Sequence, residues 1–128
     1  MKIEMEYIKG SLLRDVFDDV KGRRDIFLDI GKNISTLHNN GTIHGDLTTA
    51  NMILKDNKVY FIDFGLGFFS DKIEDKAVDI YLLREVLEGE HDVSVFNDIL
   101  EGYKNCEDYD KVIDRLKKVE RRGRYKER

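Results

Sequence analysis

The sequence predicts a mainly α-helical domain with one small β-hairpin. Apolar residues recur at helical spacing through most of the chain, and two short strand-like runs flank Asp56-Asn57. No proline occurs anywhere, so helix ends must rely on Gly, Asn and Asp. In chain order, residues 2–8 alternate as a strand that Gly10 breaks. Ser11 is the expected N-cap of a short helix reaching about Asp19, and Gly22-Arg23-Arg24 is a turn. From Asp25, the residues Ile26, Phe27, Ile30, Ile34 and Leu37 form one helical stripe, which Gly41 ends as a left-handed residue after Asn39-Asn40. Residues 42–44 are an extended stub and 45–51 a loop. Met52–Leu54 and Val59–Ile62 are the hairpin strands, turned by Asp56-Asn57. After the aromatic stretch Leu66-Gly67-Phe68-Phe69, a strongly apolar helix carries Ala77, Val78, Ile80, Tyr81, Leu83 and Leu87 at the centre of the core. Amphipathic helices follow over about 94–104 and 108–121.

A 128-residue chain that is 41% hydrophobic suits one domain with a modest core. No apolar run reaches membrane-spanning length and the first residues lack a signal-peptide core, so a cytoplasmic protein with no membrane partner is expected. Cys106 is a single cysteine, which excludes an internal disulfide and reads as an ordinary, partly exposed thiol in a reducing compartment. His38, His44, His91 and Cys106 show no zinc-ligand spacing. His44 reads as structural, and His38 and His91 carry no functional case. The net charge of −4 hides an asymmetry: eight Lys and Arg against Glu120 and Glu127 give residues 115–128 a charge of +6, leaving −10 on the rest. Such an end can contact nucleic acid, fold back on its own domain or dock an acidic partner.

The most specific pattern is His44-Gly45-Asp46-Leu47, then Asn51, then the hairpin, then Asp63-Phe64-Gly65. It brings three oxygen-bearing side chains, Asp46, Asn51 and Asp63, to one cleft. Together with the order of elements, this pattern resembles the C-terminal lobe of the protein-kinase fold, an α+β lobe with its N-terminal lobe largely absent. The resemblance implies that Asp46 orients an attacking hydroxyl or water and that Asn51 and Asp63 hold Mg²⁺ or Mn²⁺ at the ATP phosphates. It also implies that Met5-Glu6-Tyr7-Ile8 ends a small-lobe strand. There Glu6 and Ile8 offer backbone groups to adenine, Met5 stands at the gatekeeper position, Ile53 forms the adenine floor, and Ile62, the residue before the metal-binding Asp63, lines the ATP site. His44 and a buried Asp79 would support the catalytic loop. On this basis residues 1–9 are hinge, 10–114 the lobe, and 115–128 a basic helix end and tail.

Within that superfamily, three runs look most like the PRPK-type atypical kinase of the KEOPS (EKC) complex: His44–Leu54, Phe61–Gly67 and Lys76–Tyr81, joined by the closing Arg122-Gly123-Arg124-Tyr125-Lys126. The resemblance implies an ATP-dependent Ser/Thr kinase or ATPase supporting threonylcarbamoyl modification of tRNA. Its partners would be the KEOPS threonylcarbamoyltransferase subunit and a small regulatory subunit. A tail of Arg121, Arg122, Arg124, Lys126 and Arg128 would meet partner or tRNA.

Three departures from ordinary protein kinases stand out. Gly45 replaces the Arg that clamps a phosphorylated activation loop, Thr48 replaces a phosphate-neutralising Lys, and the segment after Asp63 is short with no Ala-Pro-Glu motif. No glycine-rich loop or Val-Ala-Ile-Lys strand precedes the motif, so residues 1–128 alone are expected to turn over nucleotide negligibly. The rival readings are a non-catalytic docking module for the transferase and tRNA, and a small-molecule phosphotransferase of the aminoglycoside or choline type.

Overall fold

The structure is a computed structural model that describes residues 10–126, with side chains through residue 123. The strand and hinge expected over residues 2–8 lie outside the described residues. The chain enters through β1 (Ser11–Leu12) and turns directly into α1 (Leu13–Val20). Ser11 is therefore a strand residue, not the expected N-cap. Leu12 occupies the cap position with extended backbone, and no side chain caps the helix. Pairing decides this: Ser11 and Leu12 lie opposite Leu54 and Ile53 in an antiparallel ladder, which holds the backbone extended where a lone Ser would favour a cap.

α2 (Arg24–Asn39) buries Ile26, Phe27, Ile30 and Ile34 and ends at Gly41, whose φ of 69° is the left-handed conformation the sequence predicts. β2 (Thr42–Ile43) leads into the loop that closes with a 3-10 turn at Thr49–Asn51. The hairpin is β3 (Met52–Lys55) and β4 (Lys58–Phe61), joined by Asp56 and Asn57 at φ 51° and 63°. Two consecutive left-handed residues make the turn whose twist matches paired strands. β1, β3 and β4 form one antiparallel sheet in the order β1-β3-β4. The free edge of β4 is covered by α2: Val59 N–H donates to Asp29 Oδ2 (3.0 Å) and Asn33 Nδ2 donates to the Val59 carbonyl (2.8 Å). Two side chains one helical turn apart thus stand in for a further strand.

The aromatic stretch after Gly65 forms a strand the sequence did not suggest, β5 (Phe68–Phe69), antiparallel to β2. α3 (Ile73–Glu90) is buried on several sides, as its apolar content predicts. A 3-10 turn at Val93–Val95, capped by the Asp92 carboxylate accepting Ser94 N–H (2.9 Å), leads into α4 (Phe96–Tyr103). α5 (Tyr109–Lys126) runs longer than expected and passes residue 115 without a break. Cys106, in the turn between α4 and α5, is 4% exposed, which corrects the expectation of a partly exposed thiol. Tyr103 packs beside it, and the turn Cys106 N–H to Tyr103 carbonyl (2.8 Å) folds the thiol inward.

The core forms where α2 crosses α4 and α3 packs on α5. The first crossing is tight enough to need glycine on both helices. A Cβ on Gly31 would lie 1.9 Å from the Ile99 carbonyl oxygen, and one on Gly102 would lie 2.1 Å from that of Leu28. No helix of the described residues is long and apolar enough to cross a membrane.

Gly31→Ala is expected to lower unfolding free energy by about 2–3 kcal/mol, because backbone cannot retreat as a flexible side chain can. Gly22→Ala, with nothing within 4 Å of its added carbon, should stay within about 0.5 kcal/mol of wild type. Urea denaturation of both variants reads the difference.

Candidate active site

The loop that carries the motif begins where β2 delivers His44 to the face of α3. There the Asp79 carboxylate, 1% exposed, accepts His44 N–H on Oδ2 (3.1 Å) and Gly45 N–H on Oδ1 (3.0 Å). His38 Nε2 lies 2.9 Å from the same Oδ2. A carboxylate sealed from water needs such donors, and among the described residues no buried side-chain polar atom lacks a partner.

The His44 ring, fully buried, joins the two halves of the motif. Its Nδ1 accepts Asp46 N–H (3.1 Å) and its Nε2 donates to the Ile62 carbonyl (2.8 Å), an assignment that fixes one tautomer. Phe64 packs against the ring with centroids 4.5 Å apart. A second link runs through Asn51, whose carbonyl accepts Ile62 N–H (2.9 Å). Asp63, the next residue, is thereby tied to the loop by two bonds to its neighbour. The loop's other end is anchored by Thr49, buried, with Oγ1 2.8 Å from His91 Nε2, while His91 stacks on Phe17 at 4.2 Å.

Within this frame Asp46 is half-buried, and Asn51 Nδ2 donates both to its carbonyl (3.0 Å) and to its Oδ2 (2.9 Å). With the amide nitrogen so occupied, Asn51 Oδ1 is the end left for an outside ligand. Asp63 is exposed and sits at φ 56°, a left-handed conformation that Asp tolerates better than most residues but that still stores strain. Gly65 N–H approaches its Oδ1 at 3.4 Å. Two glycines let the following segment close on the loop. Gly45 has φ 87°, and a Cβ there would lie 2.3 Å from the Leu66 carbonyl oxygen. A Cβ on Gly67 would meet the Ile43 and Phe64 oxygens at 3.0 Å.

The donor set is carboxylate and amide oxygen, the kind hard cations such as Mg²⁺ and Mn²⁺ take, with remaining positions left to water and phosphate. No group of three or more His, Cys, Asp or Glu among the described residues could hold a metal by itself. Asp46, Asn51 and Asp63 therefore fit a metal that arrives with phosphate oxygens better than a metal bound by protein alone.

Ile53 is half-buried in β3 opposite Leu12 and Tyr60, and Ile62 is half-buried directly after β4. Met5, Glu6, Ile8 and Arg128 lie outside the described residues, and Arg124 and Lys126 are described only as part of α5. Arg121 is exposed. Arg122 pairs with Glu74 in the first turn of α3, as does Arg115 (3.4 Å), so this basic end folds partly onto its own domain. A concavity of about 450 Å³ between α2 and β4, lined by Asp29, Leu37, Tyr60 and Phe61 among others, contains none of the motif carboxylates.

Sequence reasoning found no role for His38 or His91, yet each holds one end of the motif loop. The signal for His38 was present: Ile30, Ile34 and His38 recur every fourth residue on the buried face of α2, where a polar ring needs partners.

The family model described as "RIO domain" matches residues 3–71. The chain is 41% identical to the "KEOPS complex subunit Bud32" of Pyrococcus abyssi, over 100% of this chain and 62% of that protein. It is 38% identical to the "Probable serine/threonine-protein kinase BUD32 homolog" of Archaeoglobus fulgidus, over 98% of this chain and 63% of that protein. It is also 42% identical to a "Probable bifunctional tRNA threonylcarbamoyladenosine biosynthesis protein" of Methanococcus maripaludis, over 97% of this chain and 23% of that protein. The chain thus spans about three-fifths of the two shorter relatives and under a quarter of the bifunctional one.

Asp79→Ala would leave three buried donors without an acceptor and is expected to cost at least about 3 kcal/mol. Amide hydrogen exchange at His44 and Gly45 should rise in parallel with the shift in the urea midpoint.

Proposed function

The chain belongs to the RIO domain family, and on that premise we propose that it forms the catalytic lobe of an ATP-dependent phosphotransferase or ATPase. That enzyme would serve tRNA threonylcarbamoyladenosine formation within a KEOPS-type assembly. The observation that carries the reading is that Asn51 Nδ2 donates to both the backbone carbonyl and the Oδ2 of Asp46, which orients the carboxylate and leaves the Asn51 amide oxygen for a ligand. The names of the relatives, a Bud32 subunit, a kinase homologue and a biosynthesis protein for this modified nucleoside, support it from a second side.

In this mechanism Asp46 Oδ1, the oxygen Asn51 does not engage, aligns the hydroxyl of a Ser or Thr acceptor or a water and takes up its proton. Asn51 Oδ1 and the Asp63 carboxylate are the groups that would hold Mg²⁺ or Mn²⁺, which would supply charge neutralisation at the phosphates. Bound Mg²⁺-ATP supplies the transferable phosphoryl group and the charge neutralisation it needs. His44 keeps the Asp46 backbone in register with Ile62, so the acceptor side and the metal side of the cleft move together. Asp79 holds the whole loop from beneath. The kinase resemblance would make Glu6, Ile8, Ile53 and Ile62 the adenine contacts. ATP turnover would drive a conformational step in the assembly rather than the threonylcarbamoyl transfer itself.

The exposed cations Lys117, Lys118 and Arg121 on α5, continued by Arg124, Lys126 and Arg128 in sequence, form the surface proposed to meet the transferase subunit or tRNA. A docking role without catalysis is the second reading that these residues favour.

In the full-length native protein assembled with its partner subunits, Asp46→Asn and Asp63→Asn should each lower ATP turnover at least about 100-fold while assembly persists. Turnover within a few-fold of wild type would sink the catalytic reading and leave the docking one. Charge reversal of Lys117, Lys118 and Arg121 should weaken tRNA binding and flatten the dependence of log affinity on log salt concentration. A wild-type affinity insensitive to salt would remove tRNA from that surface.

A further inference from the structure

Tyr103 lies at the end of α4, 0% exposed, with its hydroxyl oxygen 2.6 Å from His38 Nδ1. The two rings meet edge-on at 85° with centroids 5.5 Å apart. The buried Cys106 thiol lies close to the phenol. His38 reaches Asp79 through its other nitrogen, and Asp79 reaches the backbone of His44 and Gly45. Three buried side chains from α2, α3 and α4 thus form one continuous chain of hydrogen bonds that ends on the backbone of the motif loop.

The chain can be ordered in one direction. Asp79, as a carboxylate already receiving two backbone N–H groups, only accepts. His38 therefore donates through Nε2, which leaves Nδ1 as an acceptor, and the hydroxyl beside it belongs to Tyr103. Burial, and after it the neighbouring thiol, pushes the Tyr103 ionisation far above its ordinary value, so the hydroxyl keeps its proton. Each bond polarises the next in a site closed to water.

We propose that Tyr103 is a positioning residue for the catalytic loop: its hydroxyl sets the tautomer of His38, and His38 so fixed holds Asp79 in the orientation that binds His44 and Gly45. The consequence for turnover rests on the catalytic function proposed above, whereas the geometry does not.

In the ¹⁵N-labelled full chain, long-range proton–nitrogen correlation should show His38 as the Nε2–H tautomer, and the Tyr103 hydroxyl proton should exchange slowly. Tyr103→Phe keeps the ring and removes the donor. It should speed amide exchange at His44 and Gly45 tenfold or more while leaving Ile80 and Val112 unchanged. His38→Gln, which breaks the same chain one member later, should give the same local pattern and serves if the first variant folds poorly. A charged or Nδ1–H His38 in wild type, or faster exchange spread evenly over the domain, overturns the proposal. In the assembled full-length protein Tyr103→Phe should lower kcat for ATP severalfold at unchanged KM. Full retention of an Asp46-dependent rate also overturns it. If wild type shows no Asp46-dependent rate, the catalytic reading falls, and the tautomer and exchange measurements still decide the role of Tyr103.

Discussion

One buried carboxylate organises this protein. Asp79 is almost sealed from water, and its two oxygens are spent on two successive backbone amides and a histidine ring. Burying such a charge without partners would cost several kcal/mol, so the loop cannot leave without stranding it. The same requirement explains α3. A helix that offers a carboxylate at its centre must be walled in on nearly every side, and its buried residues Ala77, Ile80, Leu83 and Leu87 do not confine themselves to one stripe. Even Lys76 is buried, with its ammonium turned 3.1 Å from Asp108 at the turn into α5.

With the loop held from beneath, the segment after Asp63 is held from above by contacts that only glycine permits. Gly45 receives the Leu66 carbonyl where an ordinary protein kinase presents an arginine, and Gly67 tucks under the oxygens of Ile43 and Phe64. β5 then zips Phe68 and Phe69 onto β2. A segment fixed by backbone packing needs no phosphate to order it. The contacts leave Leu66 and Phe69 facing water, at 67% and 79% exposure. Their backbones, not their side chains, are what the site uses.

How much of this the sequence revealed depends on the distance over which each feature is decided. The hairpin turn at Asp56-Asn57, the end of α2 at Gly41 and the Asp46–Asn51 pair were legible, because each is settled within a few residues by turn chemistry or loop spacing. Ser11 was not, since its choice between cap and strand was made by Leu54, more than forty residues away. Cys106 looked exposed beside Asn105, Glu107 and Asp108, but the turn that joins α4 to α5 points the thiol inward and leaves Asn105 and Glu107 exposed. The link from His38 to Tyr103 spans 65 residues, and neither side chain announces the other. Asp63 illustrates the opposite limit: its motif named it, yet its left-handed backbone is imposed by the bonds that Ile62 makes to Asn51 and His44.

The basic end of the chain follows from the same weighing of forces. Arg115 and Arg122 reach Glu74, and Arg84 reaches Glu120, but surface pairs of this kind contribute only about 0–1 kcal/mol each. What seats α5 is the burial of Val112, Leu116 and Val119 against α3, each of which far outweighs a surface ion pair. The cations are thus free to serve something other than folding. An acidic body that carries −10 on its first 114 residues would repel a polyanion, and α5 is the element that projects positive charge past it. Because the helix is anchored by its apolar face, Lys117, Lys118 and Arg121 stay exposed without weakening the core that Asp79 and the catalytic loop depend on.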